Sequence, residues 1–251
     1  MKNTIKLNRK KMCFVFLLII AVSVTAFAHD KGDLMLNIEI PIGYIAPDIG
    51  IKVDGDSLKD AYDLKESHNF GMNIGFLGTV HYYFFDMLGV NTGLGLNFLF
   101  NSIQYKEKGG SFYDSVTFSS GGLYLTIPAG VRFSKNILVL GAGITANIPL
   151  LARSTITFGQ DPYFEDEKFK LDSYMGWYFD IGFDNSGKEN QAGGFGMQVR
   201  FSAPFSNKIG NTSNFIDFGG GYEQLSYSPF SHLNISIVFQ AAIELSNIPI
   251  K

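Results

Sequence analysis

The chain has one cysteine in 251 residues. It is Cys13, close to the start. The rest of the chain therefore offers neither disulfides nor thiol chemistry. Histidine is nearly as scarce, with four in all, and no His, Asp or Glu cluster has transition-metal spacing. Long apolar runs are missing too. The longest, Met12 to Thr25, falls short of the ~18 residues of a spanning helix. A basic excess is absent: formal net charge is −3, and nucleic-acid binding needs a basic footprint. No Pro- or Ser-rich linker divides the chain, so one domain is expected.

The N-terminus has its own grammar. Lys2, Lys6, Arg9, Lys10 and Lys11 precede the apolar run, and Ala26-Phe27-Ala28 follows it. This is the pattern of a secretory signal peptide over 1–28, cut after Ala28. The alternative is an uncleaved anchor, which the short apolar run disfavours. A lipoprotein would carry its cysteine at the cleavage point, and Cys13 does not lie there. Residues 29–251 form the expected domain. Without the five leader cations it holds 15 basic against 23 acidic residues, a net charge near −8.

Strict two-residue alternation fills that domain. From Leu233 to Leu245, Leu233, Ile235, Ile237, Phe239, Ala241, Ile243 and Leu245 share one face, and Asn234, Ser236, Gln240, Ala242 and Glu244 share the other. Val238 is the one large apolar intruder. Such alternation means a strand with one greasy and one polar face. It recurs at 33–46, 69–85, 88–100, 120–134, 137–152, 171–184 and 193–205, least clearly at 137–152, whose start is apolar on both faces. Short links, as at Asp86-Met87, alternate with long ones at 47–68, 101–119, 153–170 and 206–229. Strands of about 10 residues with short turns on one side and long loops on the other are the signature of a transmembrane β-barrel. The expected fold class is all-β: an eight-stranded antiparallel up-and-down barrel. The alternative is a soluble ligand-carrying barrel. It would put apolar residues inside and charges outside, whereas the strand charges here share a face with asparagine and glycine.

These features together resemble the small outer-membrane barrels of the OmpA, OmpX, OmpW and opacity-protein type. The resemblance is architectural and spans residues 29–251. It implies export to a bacterial outer membrane, contact with outer-membrane lipid and insertion by the barrel-assembly machinery. It further implies no cofactor and a non-enzymatic role, either envelope-structural or in contact with host or environmental ligands through the long loops. A narrow channel for small or apolar solutes is the alternative, and a lipid-modifying enzyme the remote one. One departure is plain. Members of this type end on an aromatic residue, whereas here Ser246 to Lys251 follow the last strand and Phe239 is the nearest aromatic.

Candidate site residues follow from the alternation. Glu39, Arg132, Asp180, Arg200 and Glu244 all fall on inner faces. Charges in a narrow lumen need partners to offset desolvation, so a polar network is expected. Asp180 with Arg200, on adjacent strands, is the first pair. Weaker motifs read as loop features. Asp54-Gly55-Asp56 with Asp60 lacks calcium-loop order. Gly219-Gly220-Gly221 lacks the Lys and Ser of a phosphate loop. Ser231-His232 is a thin basis for a nucleophile. Phe112, Tyr113, Tyr163, Phe164, Phe215 and Phe218 lie in the long loops, available for contact.

Overall fold

A computed structural model describes residues 32–46, 50–53, 56–57, 64–107, 115–135, 137–158, 167–185, 193–205, 214–217, 222–228 and 233–245. The signal-peptide segment, Gly219-Gly220-Gly221, Ser231-His232, Asp54-Gly55, Asp60 and the loop aromatics Phe112, Tyr113, Tyr163, Phe164 and Phe218 lie outside them.

Thirteen strands follow in chain order: β1 (Leu34–Ile45), β2 (Gly50–Val53), β3 (Asp56–Ser57), β4 (Leu64–Phe85), β5 (Leu88–Glu107), β6 (Val116–Lys135), β7 (Leu138–Phe158), β8 (Glu167–Lys170), β9 (Tyr174–Asp184), β10 (Gly193–Pro204), β11 (Asn214–Asp217), β12 (Tyr222–Ser228) and β13 (Asn234–Glu244). Eight of them close a ring in the order β1-β4-β5-β6-β7-β9-β10-β13, with β6 paired to β7 and β13 back to β1. Every pairing is antiparallel between chain neighbours within the ring. This is the up-and-down barrel expected from the alternation, and closure leaves the ring without an open edge.

The outer face is apolar on every ring strand. Ile38, Ile40 and Ile42 of β1 are exposed, as are Phe76 of β4, Leu94 of β5, Val131 of β6, Ile144 of β7, Phe179 of β9, Met197 of β10 and Ile237 of β13. The buried face carries Asn37, Glu39, Asn73, His81, Asn147, Asp180, Gln198 and Gln240. A water-soluble domain shows the opposite distribution.

Two findings depart from the expected strand limits. β5 runs on to Glu107, β6 starts at Val116 and β7 ends at Phe158, so the connections expected over 101–119 and 153–170 are partly strand. The physical reason is a change of phase. Past Phe100 the outward positions become Ser102, Gln104 and Lys106, while Ile103 and Tyr105 turn in and are buried. On β7 the change is made by a bulge. Tyr124 pairs with Pro149 and Leu123 with Leu151, which leaves Leu150 extra. Both Leu150 and Leu151 point out as a result. The second finding is a separate four-stranded sheet in the order β11-β12-β2-β3. It joins the connection after β1 to the one before β13.

Candidate functional site

The alternation of β1, β9 and β10 brings one charge each to a common point in the lumen. Arg200 lies opposite Asp180 in the β10–β9 register. Its Nε donates to Asp180 Oδ1 at 2.8 Å and its Nη2 to Asp180 Oδ2 at 2.9 Å. That two-toothed arrangement is the strong form of an arginine–carboxylate pair. The same Nη2 also donates to Glu39 Oε2 at 2.9 Å. Glu39 is 1% exposed and Arg200 8%, so the three charges depend on one another rather than on water. The guanidinium lies over the Tyr178 ring, 5.0 Å from its centroid. Tyr178 fits because Gly143 faces it; a Cβ there would come within 2.7 Å of the ring. The Tyr178 hydroxyl is held by Asn91 at 3.0 Å.

Glu39 extends the network to β4. Thr79 Oγ1 donates to Glu39 Oε1 at 3.0 Å and lies 3.0 Å from His81 Nε2. One hydroxyl has one proton, so while Thr79 donates to Glu39 the imidazole must donate to Thr79.

A second cluster lies beside the first, nearer the short-turn end. Arg132 Nη2 reaches Asp184 Oδ2 at 2.8 Å and Gln240 Oε1 at 3.2 Å. Gln240 Nε2 donates to Asn37 Oδ1 at 2.7 Å and to Asp184 Oδ2 at 3.0 Å, and the Gln198 amide lies against Gln240. Beneath both clusters Met35, Tyr83 and Ala242 form an apolar floor. Above Arg200 is a cavity of about 70 Å³ whose walls include Asn73, Asn97, Thr126, Asn147 and Ser202. That is room for about five water molecules. Ile45, Leu99, Tyr124 and Leu171 pack together on the loop side of the polar layers.

Of the five candidate residues, the structure joins Glu39, Asp180 and Arg200 directly. Arg132 belongs to the neighbouring cluster. Glu244 is half-buried at the short-turn end, opposite Met35. Sequence reasoning passed over Asp184, Gln240, Thr79 and His81 as network members. Asp184 had a usable signal, since it shares the even phase of Asp180 and is the last position of the strand expected over 171–184. Among the described residues no group of three or more His, Cys, Asp or Glu could hold a metal.

No protein-family profile matches the chain, and no curated protein is significantly similar to it. Solved structures do align over most of its length. The outer membrane protein OprG from Pseudomonas aeruginosa is 15% identical over 86% of this chain and 98% of its own, at a TM-score of 0.45. Ail, the attachment invasion locus protein of Yersinia pestis, is 13% identical over 85% and 98%, at 0.36. The outer membrane protease OmpT from Escherichia coli is 9% identical over 89% and 100%, at 0.34. The strand order and the apolar exterior of this chain give it the architecture of a small membrane barrel: eight antiparallel strands closed around a polar lumen.

Proposed function

We propose that this is a non-enzymatic, plugged barrel of a bacterial outer membrane, whose task is to hold its long connections at the cell surface for envelope structure or contact with the surroundings. The observation that carries the reading is the filled lumen. Arg200 bridges from β10 to β9 and β1, and Arg132 from β6 to β9 and β13. Together with the Met35, Tyr83 and Ala242 floor, these ties leave solute no wide path. An eight-stranded barrel encloses just enough space for side chains to fill.

The test is conductance of the refolded protein in planar bilayers. The expected result is no large, stable current. A second reading, a narrow channel, draws on the cavity above Arg200, which would be its vestibule. Steady porin-like conductance of the unmodified protein would favour the channel and remove the plug.

A further inference from the structure

The cavity above Arg200 is walled by polar groups that the protein leaves without partners. Asn97 points into the lumen, between the outward Leu96 and Phe98, and its amide makes no hydrogen bond among the described residues. Gly75 gives it room: a Cβ there would come within 2.8 Å of Asn97 Oδ1. Asn73 is 3% exposed and donates its Nδ2 to Ser236 Oγ at 3.0 Å. Ser236 gives its own proton to Asn234 Oδ1 at 3.2 Å. The serine oxygen therefore needs a donor from Asn73, which fixes the amide's orientation and leaves Asn73 Oδ1 unpaired. Arg200 commits Nε and Nη2 to Asp180 and Glu39. Its Nη1 has no partner among the described residues. All three side chains line the same cavity. Buried polar groups are nearly always paired, so three such groups around one small space point to an occupant.

Charge and shape narrow that occupant. Beneath the cavity one cation, Arg200, faces two carboxylates, Asp180 and Glu39, so an anion meets net repulsion. The unpaired edge of the guanidinium disfavours a cation in the same space. A neutral molecule remains. An apolar one would leave the Asn97 and Asn73 amides dry, at the full cost of their desolvation. The wall offers donors from Arg200 and Asn97 and acceptors from Asn73 and Asn97, and a hydroxyl group answers both. Pro41, Leu77 and Leu99 complete part of the wall and suit the C–H faces of a carbon chain. Five waters take up about 150 Å³ as liquid, the room of a polyol of about three or four carbons. The way in is from the loop side. Ile45, Tyr174, Pro204 and Asn234, the loop-end residues of β1, β9, β10 and β13, line the same cavity.

We propose that this cavity is a binding site for a small neutral polyol, held by Asn97, Asn73 and Arg200. The proposal rests on the plug beneath the cavity, and the experiment separates the two. The probe is erythritol, added to the refolded full chain in detergent with isotopically labelled asparagine. The side-chain amide signals of Asn73 and Asn97 should shift and saturate, while Asn37, below Arg200, stays unmoved. Acetate and butan-1-ol, which each lack part of the hydroxyl pattern, should bind on the order of tenfold more weakly. Asn97→Leu breaks no hydrogen bond among the described residues. It should fold and weaken erythritol by about tenfold, the worth of two ordinary hydrogen bonds. Shifts that never saturate, equal shifts at Asn37, equal binding of acetate or butan-1-ol, or unchanged affinity in Asn97→Leu would overturn the site and leave water as the occupant. The wild-type series alone decides this if the variant does not fold. Erythritol entry into liposomes is measured in parallel. Saturable binding without entry supports site and plug together. Saturable binding with rapid entry keeps the site and overturns the plug, and a sealed barrel that binds no erythritol overturns the site and leaves the plug standing.

Discussion

Two stretches of β5 follow one another without a break, and they obey opposite rules. Near its start the strand points Leu94, Leu96 and Phe98 outward and Asn91 inward. Past Phe100 it points Gln104 and Lys106 outward and buries Ile103 and Tyr105. β6 behaves alike. Val131 and Ile127 face out, yet Phe118, at 1% exposure, faces in and meets Tyr105 edge-on at 6.0 Å. Backbone pairing is the same in both stretches. What differs is the solvent beyond the wall. Below the edge the outside must suit hydrocarbon and the lumen takes the polar groups. Above it the outside must suit water and the interior takes the apolar ones. Extra strand of seven or more residues on β5 then rises about 20 Å past the edge. A secondary-structure element is thus indifferent to the boundary, and its side chains are not.

The sharpest way to break this contrast is to remove charge from the lower lumen. Arg200→Ala leaves Asp180 and Glu39 buried and unpaired. Removing one member of a buried pair costs about 3–5 kcal/mol. Urea unfolding of the refolded protein in detergent should show the loss as an earlier midpoint. A midpoint unchanged within error would mean that water already solvates those carboxylates and that the lower interior is not sealed.

Phe118→Ala probes the upper interior. Truncating a buried aromatic costs about 3–5 kcal/mol when the site is packed. Because Phe118 lies above the edge, unfolding of the upper wall should come loose first, and hydrogen exchange should quicken over 101–107 and 116–120 before the lower strands. Uniform acceleration around the ring would erase the distinction between the two stretches.

The exterior gives the third comparison, made on one strand. Leu94→Arg puts a cation into the apolar belt and should cost about 2–4 kcal/mol. Ser102→Arg adds the same side chain on the same face above the edge and should stay within about 0.5 kcal/mol. Equal costs would show that the edge has been placed wrongly.

The same boundary explains what could be read from sequence. The eight ring strands and their inward phase were legible because hydrocarbon and lumen make opposite demands, and strict alternation records them. The upper ends of β5, β6 and β7 were not. Apolar residues move from even to odd positions between Phe100 and Ile103, and the extra Leu150 shifts β7. A pattern that changes phase looks like a pattern that stops. The lumen was legible in part. Arg200 and Asp180 sit on consecutive ring strands, so their pairing needs only alternation and register. Glu39 reaches Arg200 across β13, which requires ring closure and strand stagger. Arg132 and Asp184 are 52 positions apart, and no local pattern links them.

The mildest prediction concerns the hydroxyl that joins Glu39 to His81. Thr79→Val keeps the shape of the side chain and removes its oxygen. Two contacts of 3.0 Å are lost, and Glu39 Oε1 loses a donor, although His81 Nε2 is still 3.7 Å away. Leaving a buried acceptor short of a partner costs about 1–3 kcal/mol, and Arg200 continues to hold Oε2 of the same carboxylate. The expected effect is therefore at the low end, about 1 kcal/mol, and well below that of Arg200→Ala. Paired with Glu39→Gln, the double-mutant cycle should show coupling, because both changes act on one bond. Strict additivity would mean that Thr79 is a spectator to Glu39. A valine variant more stable than wild type would mean that this layer of the lumen prefers apolar packing, as the upper interior does, and would move the change of rule down into the membrane-facing wall.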